Sequence, residues 1–280
     1  MAHLRRQTGA LLEASAQLGT QDPSAVHAAR VATRRLRSGL KVYGDLLQGD
    51  AAATLRPELS WYAGALSAVR DLDVFADQLS AGGADEALSE AVLPWLRRRR
   101  DVEVSDAVTA IGSARAEALR VRLVDLARTP RFTGAAGKRA AKVLTPRVLD
   151  ADRRAARILD AVAPHDPSGE WHAARIAAKR ARYAAEVGAL ALGRPCADLA
   201  GLWSRLTEPL GSSQDCVIQR ALVLDRVDDA SVPLTAGEAF ACGIFVAGTH
   251  DRERALHAEA RTLWRGVQDE RRRIRRAVAA

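Results

Sequence analysis

A histidine-headed row of cations is written twice in this chain, and that duplication constrains the fold more than any other feature. His27-Ala28-Ala29-Arg30-Val31-Ala32-Thr33-Arg34-Arg35-Leu36-Arg37 recurs, about half a chain length later, as His172-Ala173-Ala174-Arg175-Ile176-Ala177-Ala178-Lys179-Arg180-Ala181-Arg182. A helix-start signal precedes each copy, Asp22-Pro23-Ser24 and Asp166-Pro167-Ser168. There a capping side chain stands before a proline suited to a first turn. A second pair of segments follows in the same order. Leu66-Ser67-Ala68-Val69-Arg70-Asp71-Leu72-Asp73-Val74 aligns with Leu210-Gly211-Ser212-Ser213-Gln214-Asp215-Cys216-Val217-Ile218. The 280 residues therefore read as two related halves, 1–130 and 145–280, joined by a linker over 131–144.

Each half predicts four helices. The first half gives Ala2–Leu18, Pro23–Leu47, Ala51–Leu79 with a break near Ser67, and Asp85–Arg128 interrupted near Pro94 or Gly112. The second gives Thr145–Val162, Ser168–Leu192, Pro195–Leu224 with a break near Pro209-Leu210-Gly211, and Thr235–Arg276. No segment alternates with period two, so no sheet is expected. Aromatics are only 4% and alanine is abundant, which suits closely packed helices. The expected fold is all-α, two four-helix bundles related by a pseudo-twofold axis.

The rows are one-sided. At 100° per residue, with His27 at zero, Arg30, Arg34, Arg37 and Lys41 fall at about −60°, −20°, −80° and −40°. The row spans about 21 Å. Ala29, Ala32, Leu36, Leu40 and Tyr43 occupy the opposite, core-seeking side, and Arg35 lies on a flank. His172, Arg175, Lys179 and Arg182 repeat the angles, with Arg180 matching Arg35 and Glu186 standing where the first copy has Lys41. No Asp or Glu occurs from Val26 to Lys41. Like charges at this spacing repel one another on a helix, so a row without counter-ions suits an extended polyanion. The alternative is a solvated helix face. Asp71 and Asp215 either hold stripe arginines by ion pairs or cap a helix after a break.

The whole-chain balance agrees. The net charge is +8, and of 42 basic residues all but Lys41, Lys138, Lys142 and Lys179 are arginine. The guanidinium fork matches phosphate oxygens two at a time. Cys196, Cys216 and Cys242 form no C-x-x-C pair, which argues against a zinc site and a disulfide framework. His3, His165, His250 and His257 make no metal-binding spacing, and no P-loop, nucleophile elbow or dinucleotide fingerprint is present. Catalysis, cofactor and metal are therefore not expected. The longest apolar run, around Ala239 to Ala247, is too short to span a bilayer. Met1 to Gln17 lacks the apolar core of a signal peptide, so a cytoplasmic location is expected. The runs Arg97–Arg100 and Arg271–Arg273 spread around their helices and are expected to face solvent.

The doubled H-x-x-R-[VI]-x-x-[RK]-R-x-R, with the Arg70-Asp71-Leu72-Asp73-Val74 segment and its weaker copy, resembles the CHAD family of helical domains over essentially the whole chain. Ala181 and Cys216 depart from the usual pattern. The resemblance implies a single all-helical CHAD domain over 1–280 that binds inorganic polyphosphate in a central groove or pore without catalysing a reaction. It implies His27, Arg30, Arg34, Arg37 and Lys41, with His172, Arg175, Lys179 and Arg182, as polyphosphate-binding residues. Arg35, Arg180, Asp71 and Asp215 would be secondary. A triphosphate tunnel (CYTH) enzyme and polyphosphate granule proteins are the implied partners. Nucleic-acid backbone binding and a granule-associated scaffold are the alternatives.

Overall fold

The computed structural model of the protein describes residues 1–17, 23–81 and 85–280. Among these residues helices α1 to α11 supply the architecture and no strand forms; Leu47 and Phe132 make one isolated antiparallel bridge. The first half contains α1 (Ala2–Gln17), α2 (Pro23–Tyr43), α3 (Ala51–Ala65), α4 (Ser67–Ser80), α5 (Glu86–Gly112) and α6 (Ala114–Arg128). The second contains α7 (Ala140–Ala161), α8 (Ser168–Leu192), α9 (Arg194–Asp228), α10 (Ala236–Gly266) and α11 (Gln268–Ala279). The expected cap Asp22 lies outside the described residues, as does Leu18.

Most boundaries follow local chemistry. Helix α8 stops at Gly193, whose φ of 73° is the left-handed conformation that glycine adopts freely. The break between α5 and α6 falls at Ser113, whose hydroxyl accepts from the Ala116 N–H, and Pro94 is carried inside α5. Four expectations are corrected. Helix α7 begins at Ala140, so Pro146 lies within it and the linker is shorter. Helix α2 ends at Tyr43, and Gly44–Leu46 form a short 3-10 turn. Helix α9 is unbroken through Pro209, because Thr207, Pro209 and Leu210 are buried and their packing offsets the missing hydrogen bond. The final helix is interrupted at Val267.

Three hydrophobic cores organise the chain. The first gathers Leu11, the apolar face of α2 (Ala29, Ala32, Leu36, Leu40), Leu59 and Tyr62 of α3, and Leu119 and Leu123 of α6. The second gathers Trp171 and the alanines of α8 with Leu199, Trp203 and Leu206 of α9 and Trp264 of α10. At Gly188 an added Cβ would lie 2.8 Å from Val148 Cγ2, so only glycine permits this approach of α8 to α7. The third core is composite. Leu72 and Phe75 of α4 and Val92, Trp95 and Leu96 of α5 meet Val223 of α9 and Cys242 of α10. The α4–α5 and α9–α10 hairpins thus pack against each other, and the Trp95 indole N–H donates to Asp229 at 2.8 Å. All three cysteines are free and buried. No helix among the described residues is long and apolar enough to cross a membrane.

The second core contains a buried ionic node that the sequence reading missed. Asp152 of α7 is fully buried and accepts from Arg271 through Nε at 2.9 Å and Nη2 at 2.7 Å. Trp203 donates to it at 3.1 Å, and Arg275 Nε lies 3.1 Å away. The expectation that Arg271–Arg273 face solvent therefore fails at Arg271. Its face of α11 is turned inward onto the Asp152 carboxylate.

Candidate functional site: a cationic groove between α2 and α8

Helices α2 and α8 meet directly. The Tyr43 hydroxyl donates to the Ala184 carbonyl at 2.7 Å, Arg35 pairs with Glu186 at 3.6 Å, and the Arg34 guanidinium lies 5.5 Å from the Tyr183 ring centre. Each helix buries its apolar side in its own core. The opposite sides, which carry the cations, are thereby left facing a shared space.

That space is a groove of about 650 Å³. Arg30, Arg34, Arg37 and Lys41 line it from α2, and Arg175, Lys179 and Arg180 line it from α8. Arg56 of α3 adds an eighth cation. Ser38, Ser60, Tyr183 and Ile176 also contribute to the wall, and among the described residues no carboxylate does. Arg56 was not foreseen. It has no counterpart in the repeat and sits in no motif, and only its packing brings it beside Arg37 and Lys41.

The eight cations crowd one another. Burial lowers the Arg30 pKa, with Asp71 opposing and Arg34, Arg70 and Arg175 adding to the effect. Arg175 is lowered by burial too, with Asp215 opposing. Lys179 falls to about 7, first through burial and then through Arg175 and Arg34. Lys41 is lowered chiefly by Arg56. The Nε donors of Arg34 and Arg175 are buried without a hydrogen-bond partner among the described residues. Such donors carry a desolvation penalty of about 1–3 kcal/mol each, which an incoming oxyanion would relieve.

The two aspartates sit behind the arginines. Asp71 lies 3.9 Å from Arg30, whose Nη1 also donates to the Leu66 carbonyl at 3.1 Å. Asp215 acts electrostatically on Arg175 and Lys179. Both lie inside helices, Asp71 in α4 and Asp215 in α9, so the helix-cap alternative is ruled out. Burial raises both carboxyls, against the lowering pull of their arginines.

Not every stripe residue reaches the groove. His27 lines a separate cavity with His3, Arg6 and Arg35. Its pKa is lowered by burial and then by Arg70, Arg34 and Arg30, so it is neutral at neutral pH. His172 is exposed and its Nδ1 hydrogen-bonds Gln214. Arg182 donates to Glu186 at 2.8 Å and stands 5.7 Å from the Tyr183 ring. Glu186 thus serves both Arg182 and Arg35. His257 is a packed core histidine, its ring stacked 4.3 Å from that of Trp171. No cluster of histidine, cysteine and carboxylate among the described residues has the arrangement of a metal site.

An all-helical protein with one cation-lined groove between two helices of common motif is the class so defined. A model of the CHAD domain matches residues 2–224, and the chain belongs to the CHAD family. Solved structures share its fold. PptA from Streptomyces chartreusis superposes with a TM-score of 0.76 at 22% identity, covering 94% of this chain and 96% of that one. The crystal structure of the CHAD domain from the plant Ricinus communis does so with 0.76 at 22% identity, covering 94% and 89%. No curated protein matches the chain.

Proposed function

We propose that this CHAD protein binds inorganic polyphosphate in the α2–α8 groove and does not transform it. The observation that carries the reading is the convergence of eight cations, from three helices, on one groove with no carboxylate in its wall among the described residues. Arg30, Arg34, Arg37, Lys41, Arg56, Arg175, Lys179 and Arg180 supply charge-assisted hydrogen bonds to phosphate oxygens. Asp71 and Asp215 position Arg30 and Arg175. His27, His172, Arg35 and Arg182 stand outside the groove, and of these Arg35 and Arg182 act through the surrounding field. Polyphosphate granules and a triphosphate tunnel (CYTH) enzyme are the partners this role implies, in the cytoplasm.

Competition tests the reading against nucleic-acid binding. Long-chain polyphosphate is expected to displace fluorescent DNA at far lower phosphate concentration than DNA displaces polyphosphate. Equal or reversed preference overturns the assignment. The affinity should also fall steeply with salt, by roughly 0.7 logarithmic units per neutralised phosphate for each tenfold rise, as for single strands.

Lys179 makes the binding pH-dependent. With its pKa at about 7, it is half neutral in the empty groove near neutrality. A polyanion favours the charged form, so binding takes up a proton. Affinity is therefore greatest below pH 7 and declines as pH rises through about 7 toward the higher pKa of the complex. Titrations of polyphosphate affinity across this window should show the decline in the wild type and a flatter profile in Lys179→Arg. Equally steep profiles would assign the proton to another group.

A further inference from the structure

The longest apolar run of the sequence, 239–247, plays no part in the groove. On α10 it makes a helix that is apolar on both sides. Ala241, Cys242, Phe245 and Val246 pack into the third core, with the Phe245 ring 5.5 Å from that of Phe75. Phe240, Gly243, Ile244, Ala247 and Gly248 are exposed. Phe240 is 71% exposed and Ile244 58%. Four residues apart, they are neighbours on one face. A helix apolar all round is ordinarily covered on all sides. Leu224, Val227 and Val232 are exposed on the same hairpin, so the apolar surface is concentrated at this end rather than scattered singly.

Charge identifies what covers it. The chain carries 42 Lys and Arg, yet none occurs from 71 to 96 or from 227 to 251. Those two segments form most of the α4–α5 and α9–α10 hairpin tips that pack together in the third core. Asp77, Asp85, Glu86, Glu90, Asp225 and Asp228 are exposed there. Arg226, the one cation between Leu224 and Val227, is buried, and it donates to the Ala91 carbonyl at 2.9 Å and the Val232 carbonyl at 3.0 Å. In a protein of net charge +8, these two segments thus expose apolar and acidic side chains and no lysine or arginine.

We propose that the exposed face of α10 at Phe240 and Ile244 docks a basic amphipathic helix of a partner protein. The two side chains anchor the apolar stripe of that helix, and Asp225 and Asp228, the carboxylates exposed on the same hairpin, attract its lysines and arginines. A second copy of this chain is disfavoured there, because two acidic rims would face each other. An anionic membrane surface is repelled for the same reason. The surface is separate from the groove, so the protein presents a polyanion site and a polycation site on one body.

The test uses the full chain and a fluorescent Leu/Lys helix of about 18 residues, some five turns, with its leucines on one face. A scrambled peptide of the same composition is the control. Anisotropy should show saturable binding of the helix, at least tenfold weaker binding of the scrambled peptide, and at least tenfold weaker binding of the helix to Phe240→Ser/Ile244→Ser. Circular dichroism should be unchanged in that variant, since both side chains face solvent. Equal binding by the variant, or by the scrambled peptide, overturns the proposal, as does no binding by the wild type. Sedimentation velocity adds the remaining outcome. Concentration-dependent dimers of the wild type that the double variant abolishes would give the face to a second copy and overturn a basic partner.

Discussion

Replacing Arg37, Arg56, Lys179 and Arg180 together by glutamate is expected to abolish polyphosphate binding while the protein stays folded. All four line the groove. None makes an ion pair with a carboxylate at 4 Å or less among the described residues, so no internal partner is stranded by the change. Arg30 and Arg175 are poorer choices. Arg30 is tied to Asp71 and to the Leu66 carbonyl, and a glutamate there would face the half-buried Asp71 carboxylate. At about 1.5 kcal/mol per charged hydrogen bond, four losses amount to about 6 kcal/mol, or roughly ten-thousandfold in affinity. Arg37→Glu/Arg56→Glu alone should weaken binding about a hundredfold on the same scale. The control is Arg97→Glu/Arg98→Glu, which makes the same change in net charge as that pair at exposed positions outside the groove. Its affinity should stay within a few-fold of wild type at moderate salt, where exposed charges beyond about 10 Å are largely screened. Equal losses in the two pairs, measured by isothermal titration, would mean that overall charge and not the groove governs binding.

What the sequence made legible was local or periodic. Helix α8 begins at Ser168 and ends at Leu192 as expected, because Pro167 and Gly193 mark its ends with their own backbone preferences. The face of α2 that carries Arg30, Arg34, Arg37 and Lys41 follows from the helical angle alone, and the same rotation puts Leu36 and Leu40 into the first core. What remained hidden depends on distant packing. Arg56 joins the groove because α3 lies against α2, and neither spacing nor repeat announces that. Histidine at the head of each row suggests a ligand contact, yet one turn of helix carries His27 and His172 past the end of the groove. Pro209 reads as a helix breaker, but burial of its neighbours overrides the local preference. The composite third core joins segments that are far apart in the chain, and hydrophobic periodicity does not say which faces will meet.

Asp152→Ala is expected to be the most destabilising single substitution in the second half, by about 3–5 kcal/mol. The carboxylate has no exposed surface and gathers Arg271, Arg275 and Trp203 from two other helices. Its loss leaves the nearly buried Arg271 guanidinium with no anion and the Trp203 N–H without its acceptor. At roughly 2–4 °C per kcal/mol for chains of this general size, the thermal midpoint should fall by about 10 °C. The effect comes from stranding a charge, not from the intrinsic worth of the pair, and this separates two variants. Arg271→Met removes the cation but leaves Asp152 with Arg275 and Trp203, so it should be milder. Asp152→Leu/Arg271→Met removes the buried pair, fills the site with apolar volume and leaves only the partly exposed Arg275, so it should recover much of the loss. A double variant as unstable as the sum of the singles would show that the node works through shape and not charge. Polyphosphate affinity of the folded fraction should not change in any of the three, since Asp152, Arg271 and Trp203 lie outside the groove. Binding measured well below each midpoint therefore separates the scaffold from the site: stability moves at Asp152 and affinity at the groove cations.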